Sequence, residues 1–311
     1  MKTLEDYLRP TQEGLFKRLQ KMFAENAIWK PGCFLLVPGE SPALLIAHLD
    51  TVHQEQVKAI CASEGGNILM SPQGIGGDDR CGVYGIVKVY EASEIKPWLL
   101  FTCDEEIGAR GARAFCESFR VGLLPKELDN LKMLIELDRK GKNDAVYYGC
   151  ENPEFEAYIT EKGFQTKYGS FSDISILAPE LEVAAVNLSC GYYHPHTTCE
   201  YINRRQLKAV IKKVVGMVSD AAKPDFPKYE YMEAYWRFGG YGGYYGFPYD
   251  YSEEYKKGLT GAEIPKDVPG EEQEVYEELL DLYDPVELGD YWKKYGIKGI
   301  RNLYRYEYGA G

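Results

Sequence analysis

From the start of the chain to about residue 221, short apolar runs alternate with stretches of helical period. Leu15, Phe16, Leu19, Met22 and Phe23 form a helical stripe. Cys33–Val37, Ala43–His48 and Val57–Ala62 read as strands. Gly74–Gly77 is a glycine-rich turn, after which Gly82–Ala92 returns to helical spacing. Trp98–Cys103 and Met133–Asp138 are apolar strands with a helix, Ala109–Phe119, between them. Ala145–Cys150 reads as a further strand, Glu154–Lys162 as a helix or extended segment, and Val183–Cys190 as a buried strand. Arg204–Ala221 is amphipathic, with Leu207, Val210, Ile211, Val214, Val215 and Val218 on one side. Strands alternating with helices predict an α/β fold with a mixed, largely parallel sheet covered on both faces.

The pattern stops at Lys223-Pro224-Asp225-Phe226-Pro227, which predicts one domain over residues 1–222 and an extension over 223–311. Phe238–Tyr251 is rich in Gly and Tyr and too poor in aliphatics to build a core of its own. Glu271–Leu282 has the spacing of an acidic amphipathic helix using Val275, Leu279 and Leu282. A linker with a docking helix, a homo-oligomerisation arm and a partly disordered tail all fit this extension.

Composition narrows the partners. Formal charge is −12, from 36 basic and 48 acidic residues, with no Lys/Arg cluster to follow a phosphate backbone, so nucleic acid is not an expected partner. The first residues carry no apolar signal core, and runs such as Ala43–Ala47 are too short to cross a bilayer, so no membrane partner is expected. The 8 cysteines are scattered without a CxxC pair and read as reduced thiols in a cytoplasmic protein.

The candidate chemistry sits where apolar strands end. In Ala47-His48-Leu49-Asp50, residues two apart share one side of a strand. Asp50 can therefore hold the His48 ring nitrogen that faces away from a metal, although a polar strand end would look the same. Gly76-Gly77-Asp78-Asp79-Arg80-Cys81-Gly82 precedes a helix, which Asp79 could simply cap. Cys103-Asp104-Glu105-Glu106-Ile107-Gly108 puts three acids in a row after a buried strand. They repel one another unless positive charge lies between them; a helix N-terminus offers some, a divalent metal far more. Ile135-Glu136-Leu137-Asp138 and Tyr193-His194-Pro195-His196-Thr197 complete the set. Open α/β sheets bind ligands at such strand ends, and a mixture of imidazole and carboxylate suits zinc, with manganese or cobalt also open. His53 reads as a surface-turn residue, Ser172-Asp173 as the N-cap of a short helix or a piece of the substrate end, and Cys81, Cys103 and Cys199 as small apolar residues.

The stretches AHLDTV, GGDDRCG, CDEEIGARGA, LIELD and GYYHPHTTCEY, in this order over residues 47–201, resemble the co-catalytic zinc exopeptidases (clan MH). That clan contains leucyl aminopeptidase-like and peptidase T-like enzymes. The resemblance implies a three-layer α/β/α sandwich and two divalent metal ions. Asp78 would bridge them, His48 and Asp138 completing one site and Glu106 and His196 the other. Glu105 would be the general base and Asp50 would orient His48, with a cis peptide after the bridging acid, at Asp78–Asp79. Many relatives insert a lid domain after the acid at 138; here core-like signals fill residues 139–195, so a large lid is not expected. An oxyanion donor must then come from nearby, and Tyr192, Tyr193 and His194 are the candidates. His194 competes with His196 as a ligand; the Thr-Thr-Cys-Glu after His196 fits the family pattern better.

The implied activity is hydrolysis of an amide bond near a peptide terminus, first as an aminopeptidase acting on a peptide or small amide whose α-amine is held by acids. A carboxypeptidase, dipeptidase or N-deacylase could use the same site and would need a cation such as Arg80 or Arg139 for the substrate carboxylate. A non-catalytic binding or assembly protein is the third reading.

Overall fold

The computed structural model describes residues 1–150, 152–169, 171–232, 265, 268–280 and 285–308. They fall into two compact units, within Met1–Tyr245 and within Gly246–Gly311.

The first unit begins α1 (Glu5–Leu8), α2 (Gln12–Met22), β1 (Ile28–Lys30), β2 (Phe34–Val37), β3 (Ser41–His48), β4 (Cys61–Ala62) and β5 (Ile68–Met70). It continues with α3 (Gly77–Ala92), β6 (Pro97–Thr102), α4 (Arg110–Arg120), β7 (Met133–Arg139), β8 (Asp144–Val146), α5 (Pro153–Glu161) and β9 (Gln165–Lys167). It closes with α6 (Ile174–Leu181), β10 (Ala185–Ser189), β11 (Tyr192–Tyr193), β12 (Tyr201–Asn203) and α7 (Arg204–Ala221). The main sheet has the order β1-β2-β6-β3-β7-β10-β8-β9, and a smaller one β11-β12-β5-β4. In the main sheet β6, β3, β7 and β10 run parallel, as do β8 and β9; β1, β2 and the β10–β8 pair are antiparallel.

Alternation along the strands sorts side chains to two cores. Ala43, Leu45 and Ala47 of β3, Leu99 and Phe101 of β6, and Ile135 and Leu137 of β7 face the core shared with α2, α3 and α7. Leu44 and Ile46, Trp98 and Leu100, and Leu134 face the core shared with α4 and α6. This is the expected three-layer sandwich. Continuing the second series to the strand ends reaches His48, Thr102, Glu136 and Asp138, and Ala185 of β10 leads likewise to Asn187. Register sets them side by side: His48 opposite Thr102, and Glu136 opposite Asn187. One face of the sheet thus changes from apolar to polar at the carboxyl ends of its central strands.

Several sequence expectations change. Of Val57–Ala62 only Cys61–Ala62 is strand, because the amides of Lys58 and Ala59 are taken by the Gln73 side chain (3.2 and 3.3 Å). The strand expected over Ala145–Cys150 ends at Val146, since Tyr148 and Gly149 turn left-handed (φ 51° and 82°). Residues 154–162 resolve as helix: Asn152 caps α5, accepting from the amides of Glu154 and Phe155, with Pro153 in the first turn. The span from Asp138 to His196 is taken up by β8 to β11 and their helices, with no separate lid among the described residues. Beyond α7, the Tyr229 amide donates to the Lys132 carbonyl (2.9 Å) and the Ala184 amide to the Tyr229 carbonyl (2.8 Å).

Among the described residues the second unit holds α8 (Gln273–Leu280) and α9 (Pro285–Tyr308), joined by a small core that includes Tyr276, Leu279, Leu288, Trp292 and Ile300. The expected helix over 271–282 is present as α8, with Leu279 buried and Val275 against the core; Leu282 and the Gly/Tyr-rich Phe238–Tyr251 lie outside the described residues.

Helix α3 lies close against β7 at Gly82, where an added Cβ would stand 1.8 Å from the Leu137 carbonyl oxygen. Gly82→Ala is therefore expected to destabilise the first unit by about 1–3 kcal/mol or more through overpacking. The urea midpoint measures this, and an unchanged midpoint would contradict the close approach of α3 to β7.

Candidate metal centre

His48 closes β3, 1 % exposed, with both ring nitrogens against carboxylates. Its Nδ1 lies 3.2 Å from Asp50 Oδ1; its Nε2 lies 3.2 Å from Asp78 Oδ1 and 3.4 Å from Asp138 Oδ1. With Nδ1–H donating to Asp50, Nε2 turns a lone pair on two acids. A proton there could satisfy only one of them, whereas a cation satisfies both. The other oxygen of Asp78 repeats the pattern: His196 Nε2 is 3.2 Å from Asp78 Oδ2 and 3.3 Å from Glu106 Oε2. The remaining Glu106 oxygen, Oε1, is buried without a hydrogen-bond partner among the described residues. The five expected residues thus form two three-cornered clusters that share Asp78.

The spacing fits metal binding. An ion with four donors at about 2.0–2.1 Å has donor–donor edges of roughly 3.3–3.4 Å. The four imidazole–carboxylate separations run from 3.2 to 3.4 Å. Donor atoms of His48, Asp78 and Glu106 lie within 4.8 Å of one another, as do those of His48, Asp79 and Asp138. Asp79 is already committed elsewhere: its Oδ1 accepts from the Gly82 amide (2.9 Å), capping the regular turns of α3, and its Oδ2 from the His48 amide (3.2 Å). The expected helix cap is present, and the same side chain also pins the end of β3. The Asp78–Asp79 peptide is cis, as the resemblance implied.

Two further acids build the frame. Asp50 accepts from His48 and from the amides of Glu105 (3.1 Å) and Glu106 (3.0 Å), so one carboxylate orients both the imidazole and the acidic loop. Left-handed residues bracket that loop, Asp104 at φ 59° and Ala109 at φ 50°. Glu200, fully buried, accepts from the amides of Gly76 (2.9 Å) and Asp78 (2.8 Å) and pairs with His53 Nε2 (2.9 Å). His53 is therefore no surface-turn residue: a buried carboxylate draws it inward. His196 is delivered by the β11–β12 loop, which turns left-handed at His194 (φ 53°) and His196 (φ 63°).

Burial and mutual repulsion push most of these acids toward protonation. Burial raises Glu105 well above the carboxylate range and raises Glu106 as well; burial, with the Asp78 charge, lifts Asp138 to about 7. Asp78 goes the other way: burial opposes its charge, but hydrogen bonds and positive charge from His196 and His48, protonated when no cation lies between them, hold it far below the ordinary value. Asp50 is likewise lowered against burial, by His48 and the two amides.

Beneath the centre lies a polar layer, of which the sequence singled out only Ser172 and Asp173. Ser172 Oγ donates to Glu136, Thr102 Oγ1 to Asp173, and Asn187 Nδ2 to the Asp138 carbonyl (2.9 Å) and to Ser172 Oγ (3.3 Å). Asp173 precedes α6 without capping it by its side chain. Burial raises Glu136 well above its ordinary value and Asp173 to about 6. The signal available for Glu136 was its position two residues before Asp138, on the same side of the strand.

The expected oxyanion donors are placed differently. The Tyr193 hydroxyl donates to Gln206 (2.8 Å) and its ring stacks on Tyr201 at 4.9 Å, while the His194 ring leans on the same tyrosine at 5.7 Å. Tyr192 is the tyrosine that reaches the acids, its hydroxyl 3.3 Å from Asp138 Oδ1. Strand alternation explains the swap: Tyr192 points to the buried side of β11 and Tyr193 to the other. Arg80 is buried and gives Nη1 to the carbonyls of Tyr7 (3.0 Å) and Pro10 (3.1 Å), and Arg139 reaches the Tyr168 carbonyl (3.2 Å).

No protein-family model matches the chain, and no curated protein matches it in sequence. Among solved structures, the fold is shared with aminopeptidase PepT from Bacillus cereus (16 % identity, TM-score 0.52, 71 % of this chain and 98 % of that one). It is shared with a tripeptidase from Staphylococcus aureus (14 %, TM-score 0.54, 70 % and 96 %). A TET aminopeptidase from a marine-sediment thaumarchaeon also matches (12 %, TM-score 0.52, 70 % and 95 %). The likeness is one of fold, the α/β architecture that the motifs implied.

Glu200 gives this site its sharpest structural test. Glu200→Ala strands two buried amides and His53, at an expected cost of about 2–4 kcal/mol, whereas Cys199→Ala, at an exposed neighbour, should leave the protein near wild type. Chemical denaturation compares the two. Equal midpoints would mean that Glu200 does not hold the Gly76–Asp78 turn.

Proposed function

We propose that this chain is a metal-dependent exopeptidase that works as an aminopeptidase. Two divalent cations, zinc by preference, would be held by His48, Asp78 and Asp138 on one side and by Asp78, Glu106 and His196 on the other. The observation that carries the proposal is the pairing of each Asp78 oxygen with a different imidazole, each of which faces a second acid. Structures with this fold are described as an aminopeptidase, a tripeptidase and a TET aminopeptidase, which supports the same chemistry here. We read residues 1–222 as the catalytic domain and 223–311 as an extension.

The bound cations would supply Lewis acidity toward a peptide carbonyl and toward water. The chain's own residues do the rest. Asp50 fixes the tautomer of His48 and, through the amides of Glu105 and Glu106, the position of the acidic loop. Glu105 takes a proton from the attacking water as the new C–O bond forms and delivers it to the amine as the C–N bond breaks. Burial, which makes its carboxyl a ready proton holder, favours this role. Tyr192, with its hydroxyl on Asp138, is the better candidate for a donor near the reacting carbonyl. A surplus of carboxylates suits a substrate ammonium, which favours the amino-terminal reading over carboxypeptidase or deacylase action.

A panel of aminoacyl amides, dipeptides and N-acyl peptides, assayed with and without a chelator, tests the proposal. Free-amine substrates should be cleaved only without chelator; cleavage confined to N-blocked substrates would overturn the amino-terminal reading. Glu105→Gln should lower kcat by about 100- to 10,000-fold while the bound metal, by elemental analysis, stays at the wild-type level. Retained activity would remove Glu105 from proton transfer.

His196→Ala should lose one of two bound ions, and His194→Ala neither. The reverse result would exchange their roles.

A further inference from the structure

A cleft of about 270 Å3 lies between the turn at Pro10–Gln12, the loop after Asp50 and the turn at Gly74–Gly76. Neither Glu105 nor any of the five proposed metal ligands lines it; Arg80 and Asp50 do. Arg80 is 3 % exposed, and both of its hydrogen bonds use Nη1. Its Nε is buried with no acceptor, so the Nε–Nη2 edge is unused by the described residues. That edge presents two parallel N–H groups, the fork that grips a carboxylate side-on. The acids whose charge Arg80 feels most are Asp50 and Asp79. Both spend their oxygens elsewhere, Asp50 on His48 and two loop amides, Asp79 on the amides of Gly82 and His48. A buried guanidinium normally has an acceptor on each edge, and leaving N–H groups unmet costs about 1–3 kcal/mol.

We infer that this cleft is a second binding site, for a small carboxylate held side-on by Arg80 Nε and Nη2. Thr51 also lines it; its hydroxyl accepts from the His53 amide (3.0 Å) and keeps a hydrogen to give the ligand. The volume suits a ligand the size of acetate or a small amino acid rather than a peptide. The ligand would touch Asp50 and none of the five proposed metal ligands, which sets this site apart from the metal centre. The inference concerns binding and holds whether or not the chain is a peptidase.

The test is a thermal melt of the full chain in sodium acetate against sodium chloride at equal ionic strength, with a crystal structure grown in acetate. Acetate should raise the Tm saturably, by roughly 3 °C, in wild type and in His196→Ala, and not in Arg80→Gln. Electron density should show both acetate oxygens on Arg80. Loss of the shift in His196→Ala would place acetate at the metal centre and overturn the inference, as would a shift that never saturates or is matched by chloride. Should Arg80→Gln fail to fold, the wild-type crystal decides: ordered water alone on the Nε–Nη2 edge refutes the site.

Discussion

Carboxylates crowded out of water must each find positive charge or hydrogen-bond donors, and in this chain they divide by how they do so. Asp50, Asp79 and Glu200 are met by backbone amides and imidazoles, each with both oxygens in use. The side chains of Asp78, Asp138 and Glu106 receive no backbone amide among the described residues; they look toward one another across two histidine nitrogens. The first group builds the frame, and the second leaves a demand for positive charge that the proposed cations would meet. Conformations of the Gly76–Asp78 turn and of the acidic loop both depend on the first group, so the geometry of the second follows from it.

The fold makes this division possible at little structural cost. A parallel strand carries one face of side chains into each core, and at its carboxyl end the face that met α4 and α6 becomes polar. Because β3, β6, β7 and β10 lie side by side, four such ends put His48, Thr102, Glu136 with Asp138, and Asn187 in one row. The other clustered side chains arrive on loops: Asp78 from the turn into α3, Glu106 from the loop after β6, and His196 from the loop between the strands of the smaller sheet. The row supplies rigid positions and the loops supply closure, an arrangement suited to holding charged groups at fixed separation.

What could be read in the sequence follows from the range of the interactions. His48 and Asp50 are two residues apart on one strand, and Asp138 ends an apolar run, so local periodicity exposed them. Order along the chain then pointed to Asp78, Glu106 and His196, and the structure brings all five together. Local pattern could not reveal that His53 meets Glu200, because 147 positions separate them and neither side chain has a neighbour in sequence that requires it. It also left Tyr192, Tyr193 and His194 side by side as candidates, since β11 is only two residues long and gives no period to choose among them. Strands of two or three residues such as β5 and β12 escape notice for the same reason: their existence is decided by pairing partners, not by their own composition.

Asp50 joins these themes. Read along the chain it is a second residue behind a histidine ligand, and in three dimensions it is the point where separate parts of the molecule exchange force. It holds His48 by one oxygen, the Glu105 and Glu106 amides by both, and faces the cleft that Arg80 lines. Its charge is kept low in pKa against strong burial by these same donors. Under the proposed function, a ligand on Arg80 would bear on the chemistry through Asp50, the one carboxylate that both lines the cleft and holds His48 and the loop carrying Glu105.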